Sequence, residues 1–222
     1  YGIFAMLMAL WTFGMFMYAK DPPDYSRVIS WSKILHAAGL GISMSLFLFA
    51  LAFTKNKRIS SRTSILALIP GFIVIFLTLA TNSIINSLNF LHGNRQLVYG
   101  QIYPWYFALF SIYITTAIVF LITDYLRASG IYRQQLKYII IGISIPSCFA
   151  FIINLILPAT GNFKIAWSGP IFLLIENACI GYAILKFKAL NVKALMSEIM
   201  ALLLSVIVFT WLISNFNLMN SL

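Results

Sequence analysis

The feature that most restricts the fold of this chain is a succession of long apolar runs joined by short connections. Each run is close to the roughly 20 residues that an α-helix needs to cross a bilayer, and about twice the length of a barrel strand. The sequence therefore predicts an all-α fold, a polytopic transmembrane helix bundle of about seven spanning helices in a single domain, 1–222. The predicted helices are 2–19, 34–54, 65–91, 102–123, 138–157, 167–185 and 194–214.

Composition agrees with a membrane protein and leaves no room for a separate soluble domain. Of the 222 residues, 61% are hydrophobic and 9% are charged, whereas about a quarter of the residues of a soluble domain are charged. A net charge of +10 would suggest nucleic-acid binding in a soluble protein. Here the basic residues lie in the connections between apolar runs, so we expect a lipid bilayer as the partner and no nucleic acid.

The basic residues also predict an orientation in the membrane. Ten of the fifteen lie on one set of alternate loops, and five lie on the other. Because cytoplasmic loops carry an excess of Lys and Arg, the richer set is predicted to be cytoplasmic. The chain is thus predicted to cross the inner (cytoplasmic) membrane of a cell. Its first residue lies on the cytoplasmic side and its last residue lies outside. The predicted topology anchors are Lys55, Lys57, Arg58, Arg62, Arg127, Arg133, Lys137, Lys186, Lys188 and Lys193.

The chain has none of the sequence signatures of common enzymes or cofactor proteins. It lacks a Gly-rich phosphate loop, an HExxH motif and a GxSxG motif. Its two histidines, His36 and His92, lie in different segments, so neither a metal site nor a cofactor is expected. We therefore predict no catalytic residue in this chain.

An acidic residue inside an apolar run is the sharpest candidate for a functional group. Glu176 lies near the midpoint of the sixth run, next to Asn177, and the run contains no basic residue. Ionisable groups at membrane depth are costly and commonly functional. Glu176 could face a cavity as a ligand or proton site, or it could be a hydrogen-bonded carboxyl that fixes helix packing. Both interpretations remain open.

A polar pattern in the third run gives a second candidate site. Thr78, Asn82, Asn86 and Asn89 are spaced by four, four and three residues, which places them on one face if the run is a helix. Asn154, in the outer third of the fifth run, could face the same outward-facing cavity. Hydrogen bonds between helices would explain the pattern equally well. The candidate ligand-binding residues are Glu176, Asn177, Asn82, Asn86, Asn89 and Asn154.

Aromatic residues gather near the predicted outer ends of the helices. Tyr103, Trp105 and Tyr106 are close together in the sequence, and Trp31 and Trp167 occupy similar positions. Such residues commonly form a belt at the interface between lipid and water. We therefore predict that they anchor the helices rather than bind a ligand.

Several stretches resemble the seven-helix amino-terminal sensor region of bacterial membrane histidine kinases. They are ALWTFGMFMYA (9–19), YRQQLKYIIIG (132–142), NLILP (154–158), and GP followed by GYAILKFKALNVKAL (181–195). In that family a "YAI-basic-aromatic-basic" ending marks the cytoplasmic end of the seventh helix. The resemblance implies a membrane sensor, commonly a dimer, that belongs to the same longer chain as a cytoplasmic output module.

The chain departs from that family at both ends. Only six runs precede Lys186, so the resemblance implies that the family's first helix lies upstream of Tyr1. After Lys193 the segment VKALMSEIMALLLSVIVFTWLIS is similar to an extended form with extra transmembrane helices. The family's phosphoacceptor His and ATP-binding glycines have no counterpart. We therefore expect a fragment that senses and anchors, with the output module further along the longer chain.

The resulting hypothesis is a sensor or receptor module of a signal-transduction histidine kinase. It would detect an extracellular or lipid-borne ligand, a small molecule or a peptide, and relay a helix rearrangement to the cytoplasmic output. One alternative is a small proton- or cation-coupled transporter or channel that uses Glu176. A third is a structural membrane subunit of a larger complex. A polar path across the bilayer would favour the transporter, and a cavity closed on the cytoplasmic side would count against it.

Overall fold

The computed structural model describes residues 2–20, 25–54, 61–91 and 94–157, together with positions 168, 169, 171, 172, 175, 176, 178, 179 and 182. These residues form five α-helices, a β-hairpin and a short π-helical turn. In chain order they are α1 (Gly2–Lys20), α2 (Tyr25–Phe53), α3 (Ser61–Ala80), β1 (Ile85–Leu91), β2 (Asn94–Tyr99), α4 (Tyr103–Arg127), α5 (Gly130–Phe151) and the π-turn (Ile152–Ile156).

Among the described residues, four helices are long and apolar enough to cross a membrane: Tyr25–Phe53, Arg62–Ala80, Tyr103–Arg127 and Gly130–Ile156. The apolar part of α1, Gly2–Tyr18, is slightly shorter. Described positions of the predicted sixth helix have helical backbone from Gly169 to Tyr182, whereas the predicted helix 194–214 lies outside the described residues. The fold is thus a mostly helical membrane bundle, and the number of seven spans stays a prediction.

Helix α2 is the centre of the bundle and packs against α1, α3 and α4. Small residues let its neighbours approach closely, as is common between membrane helices. A Cβ atom added at Gly41 would lie 3.2 Å from the Leu7 side chain of α1. One added at Gly39 would lie 3.2 Å from the Tyr106 hydroxyl of α4. The glycines of α2 therefore determine how near α1 and α4 can come.

We call the end of the bundle that carries β1 and β2 the hairpin end, and the opposite one the far end. At the far end a buried apolar cluster joins α1, α2, α4 and α5. A second apolar cluster joins α2, α3, α4 and the hairpin. The far-end cluster consists of Phe4, Met8, Leu46, Phe49, Ala50, Ala117, Leu121, Leu136, Ile139 and Ile143.

The prediction of one helix over 65–91 is wrong, because α3 ends at Ala80 and the chain continues as a hairpin. The strands pair antiparallel from Ile85 with Tyr99 to Leu91 with Asn94. Asparagine and serine compete with helical hydrogen bonds through their own side chains, which favours turns and strands after Ala80. As a result, Thr78 lies on a helix, whereas Asn86 and Asn89 lie on a strand. The predicted polar face of a helix does not exist.

Two other helices, α2 and α5, begin earlier than predicted, in the polar sequence that precedes the apolar run. The structure starts α2 at Tyr25 rather than residue 34, and α5 at Gly130 rather than residue 138. Apolar runs mark only the part of a helix that lipid surrounds, whereas the hydrogen-bonded backbone continues into the polar interface. The predicted limits are therefore too short at these ends.

Four of the ten predicted topology anchors fall within the described residues. Arg62 is the second residue of α3, Arg127 ends α4, and Arg133 and Lys137 lie near the start of α5. All four side chains are exposed at the far end. Lys55, Lys57, Arg58, Lys186, Lys188 and Lys193 lie outside the described residues. The described anchors thus lie at one end of the bundle, and the cellular side of that end remains a prediction.

Candidate ligand site: a cavity at the hairpin end

A cavity of about 140 Å³ lies between α1, α2, α4, α5, β2 and the sixth apolar run. It reaches from Tyr99 in the hairpin to Leu46 and Ile114 near the middle of the bundle. Most of its wall is apolar. The polar side chains that line it are Tyr18, His36, Tyr99, Tyr106, Ser147, Asn154 and Glu176.

Glu176 is the only acidic residue among the described lining residues. Its side chain is buried, with 4% exposed. Among the described residues that line the cavity there is no Lys or Arg. A buried carboxyl needs a proton, a donor or a cation to compensate for lost hydration. Glu176 is thus able to receive a polar group that enters the cavity.

Asn154 reaches the cavity from the π-turn that follows α5. In this turn the Leu157 N–H donates to the Ile152 carbonyl, five residues earlier. Such turns are frequent at functional sites because they shift the side chains relative to a regular helix. The Asn154 amide supplies both a donor and an acceptor. The cavity therefore offers a carboxyl and a carboxamide from two different segments.

A glycine brings these two segments together. A Cβ atom at Gly169 would lie 3.2 Å from Asn154 Oδ1 and 2.6 Å from Trp11 Cη2. No side chain fits between the sixth run, α1 and α5 at this point. Gly169 thus allows the segment that carries Glu176 to lie directly against Trp11 and Asn154.

Aromatic rings form the wall nearest the hairpin. The His36 ring lies 5.9 Å from the Tyr99 ring and 5.5 Å from the Tyr106 ring, between centroids. Tyr99 stacks on Tyr103 at 3.8 Å. Burial raises the pKa of the Tyr99 phenol, so this group stays neutral and keeps its proton for donation. The hairpin thereby contributes a neutral aromatic ring to the wall of the cavity.

Two hydrogen bonds fix this aromatic wall. The Tyr106 hydroxyl donates to the His36 carbonyl oxygen at 3.0 Å. The His36 ring places Nδ1 2.8 Å from the Ser32 carbonyl oxygen, so a neutral ring that donates through Nδ1 leaves Nε2 as an acceptor. Both bonds hold side chains against α2, the most buried helix.

The predicted aromatic belt is only partly correct. Trp105 is 69% exposed on the outer surface, as a belt residue would be, but Tyr103 and Tyr106 are 7% and 3% exposed. Trp31 is partly buried and makes an edge contact with Phe13 at 5.7 Å. Residues one turn apart on an amphipathic helix share a face, so Tyr103 and Tyr106 point inward while Trp105 points away. Trp167 lies outside the described residues.

The structure separates the predicted binding residues into two groups. Glu176 and Asn154 line the cavity. Asn82 is exposed and accepts a 2.8 Å hydrogen bond from Lys33 Nζ, while Asn86 and Asn89 are exposed on β1. None of these three is among the described lining residues, and Asn177 lies outside the described part of the chain. A role for Asn82, Asn86, Asn89 and Asn177 in binding stays a prediction.

Sequence reasoning missed most of the aromatic contribution to the cavity. Trp11, His36, Tyr99 and Tyr106 line it, yet none was among the candidates. A signal was present for Tyr106, since it lies three residues after Tyr103 and so shares its helix face. Nothing in the local sequence shows that β2 brings Tyr99 to the same place.

Comparison with known families gives one match, and it covers most of the chain. The family described as the N-terminal 7TM region of histidine kinase matches residues 1–193. No curated protein and no solved structure matches the chain.

Proposed function

Because this chain belongs to the family of N-terminal 7TM regions of histidine kinases, we propose that its cavity at the hairpin end binds the signal that the kinase detects. The apolar helices and the family agree on a multi-pass membrane protein and a membrane sensor region. The ligand site, the relay and the orientation in the membrane are parts of this proposal.

The observation that carries the proposal is the buried Glu176 carboxyl in a cavity of aromatic and apolar residues. Ligand pockets are commonly apolar, with a few polar groups that fix the orientation of the ligand. Glu176 and Asn154 are such groups, and they come from segments that only folding brings together.

The proposed relay runs from the cavity to the far end along α5. A ligand between α1, α2, α5 and the sixth run favours one of two helix arrangements to the extent that it binds them with different affinity. Asn154 follows α5, and Tyr132 near the start of the same helix contacts α2 and α4. If the far end lies on the cytoplasmic side of the inner membrane, the change in helix arrangement reaches a cytoplasmic kinase module. Two copies of the chain are expected to pair.

The test measures autophosphorylation of the full-length protein in lipid nanodiscs. Ala150→Phe places a large ring in the cavity, and Glu176→Gln removes its carboxyl. Cys148→Phe is the matched control, since it enlarges an exposed side chain on the same helix. We expect the two cavity variants to change autophosphorylation several-fold and the control to match wild type. The proposal fails if all three variants retain wild-type activity while Ala150→Phe and Glu176→Gln remain folded.

The transporter hypothesis has less support from the arrangement of the core. A proton or cation path through Glu176 would have to cross the far-end cluster, in which Leu121, Leu136 and Ile143 are fully buried. Such a cluster excludes water and ions. Proton-linked flux in liposomes, lost in Glu176→Gln, would favour a transporter over a sensor. The cavity itself counts against a purely structural membrane subunit.

A further inference from the structure

We propose that the ligand is a small organic cation, an ammonium group with an apolar flank, and that Glu176 is its counter-charge. This inference rests on the proposed function, because it concerns the ligand of the same cavity. It adds the chemical class of the signal, which neither the fold nor the family supplies.

The charge of the cavity favours a cationic ligand. Glu176 is 4% exposed and is the only carboxyl group among the described lining residues. No Lys or Arg of the described lining balances it. A carboxylate in such surroundings is stabilised most by a positive charge brought within contact. An anionic ligand would instead place two negative charges in one apolar space.

The aromatic wall of the cavity also favours a cation. Trp11, Tyr106 and Phe110 face the cavity from α1 and α4, and Tyr99 faces it from the hairpin. The negative faces of aromatic rings attract cations, and Trp is the strongest of the natural rings in this respect. Rings around an ammonium group also compensate for the water that it loses on entry. A carboxyl together with such rings is the chemistry that selects ammonium compounds.

The volume of the cavity limits the size of the ligand. The cavity volume is about 140 Å³, and an apolar cavity of about 150 Å³ accommodates one benzene molecule. A ligand that fills it has roughly that bulk. Small ammonium compounds such as tetramethylammonium, choline and phenethylammonium are of this size, whereas a folded peptide or a whole lipid is far larger. The apolar residues Ile42, Ile114 and Leu155 would contact the flank of the ligand.

The experiment compares a cation with its neutral isostere. Choline and 3,3-dimethylbutan-1-ol have nearly the same shape, and only choline is charged. Binding of each to the full-length protein in nanodiscs is measured by calorimetry, alongside tetramethylammonium and phenethylammonium. We expect at least one cation to bind in the millimolar range or tighter. Choline should bind about tenfold more tightly than the alcohol, a difference of about 1.4 kcal/mol, because only choline brings a positive charge to the Glu176 carboxylate.

Two variants identify the source of this preference. Glu176→Gln should remove most of the difference between choline and the alcohol, without a loss of alcohol binding. Asp124→Asn is the matched control, because it removes a carboxylate at the far end and leaves an acceptor for Tyr132. Its cation preference should equal that of wild type. Thermal unfolding of both variants confirms that each is folded.

The outcomes separate this inference from the proposed function. Equal binding of choline and the alcohol overturns the cationic class, and so does an undiminished preference in Glu176→Gln. Absence of binding by all three cations overturns it as well. In each of these cases the proposed function still stands if Ala150→Phe changes autophosphorylation and Cys148→Phe does not. If neither Ala150→Phe nor Glu176→Gln changes autophosphorylation, the sensor cavity fails whatever the cations do.

Discussion

Gly169 lies directly against the indole ring of Trp11, so closely that a Cβ atom at the glycine would come within 2.6 Å of Cη2. Real Cβ atoms essentially never approach another atom so closely. The contact joins the sixth run to α1 at the wall of the cavity, which both residues line. Any side chain at position 169 must therefore displace the indole ring or separate the two segments.

Gly169→Ala should destabilise the protein by about 1–3 kcal/mol, the usual effect of an extra methyl group in a well-packed core. The measurement is thermal unfolding in detergent. Gly2→Ala is the matched control, since it is also a helical glycine but has nothing within 4 Å of its Cβ position. Alanine has a higher helix propensity than glycine, so the control should be unchanged or slightly stabilised. An equal response of the two variants would contradict the close contact.

Tyr106→Phe tests the bond that fixes the aromatic wall. The variant loses the 3.0 Å hydrogen bond to the His36 carbonyl oxygen but keeps the ring that stacks on Tyr103 and Phe110. We expect a loss of about 0.5–1.5 kcal/mol in the free energy of unfolding. Tyr25→Phe, at a position that is 47% exposed, should show almost no change. A Tyr106→Phe protein as stable as Tyr25→Phe would mean that this bond contributes nothing.

The helices were predictable from the sequence because membrane spans depend mainly on one property, apolarity over a sufficient length. α2 and α4 illustrate this, since each covers all but one residue of its predicted run. The hairpin was not predictable in the same way. A spacing of four, four and three fits a helical face, but Asn82, Asn86 and Asn89 also favour turns and strand ends through local hydrogen bonds. The pairing of Ile85 with Tyr99 decides between these alternatives, and pairing between segments is not a local property.

The cavity was predictable only in part, for the same reason. Glu176 and Asn154 stand out in the sequence because polar groups are rare in apolar runs, and both line the cavity. His36 and Trp11 are ordinary residues of their own helices. They become part of a site because Gly39 and Gly169 permit close approach, and the sequence does not show which helices those glycines face.

Lys33→Met should loosen the hairpin without unfolding the bundle. Lys33 Nζ donates a 2.8 Å hydrogen bond to Asn82 Oδ1, which ties α2 to the residues just before β1. An exposed bond of this kind contributes about 0.5–1 kcal/mol, so the global stability should change little. Hydrogen exchange of the backbone amides in β1 and β2 should become several-fold faster. Lys137→Met changes an exposed side chain at the far end, so hydrogen exchange in the hairpin of this control should equal that of wild type. Equal exchange rates in the two variants would show that the Lys33–Asn82 hydrogen bond does not hold the hairpin to α2.

Tyr132 joins three helices at the far end, where the proposed signal leaves the bundle. Its hydroxyl donates to the Asp124 carboxylate of α4 and lies 3.2 Å from the Phe53 carbonyl oxygen of α2. Its ring also stacks on Phe53 at 6.1 Å. A shift of α5 relative to α2 and α4 must therefore break or remake these contacts.

The coupling between Tyr132 and Asp124 can be measured with a double-mutant cycle. Tyr132→Phe and Asp124→Ala are combined, because each substitution removes the hydrogen bond, and the free energies of unfolding of the single and double variants are compared. Residues in direct contact usually show a coupling of about 0.5–3 kcal/mol. Tyr138→Phe with Asp124→Ala is the control pair, since Tyr138 lies further along α5 and packs on Tyr182. The effects of these two substitutions should add. Additivity in the Tyr132 cycle would show that this hydrogen bond does not link α4 to α5.

In full-length protein, Tyr132→Phe should also shift autophosphorylation if the far-end contact transmits the state of the cavity.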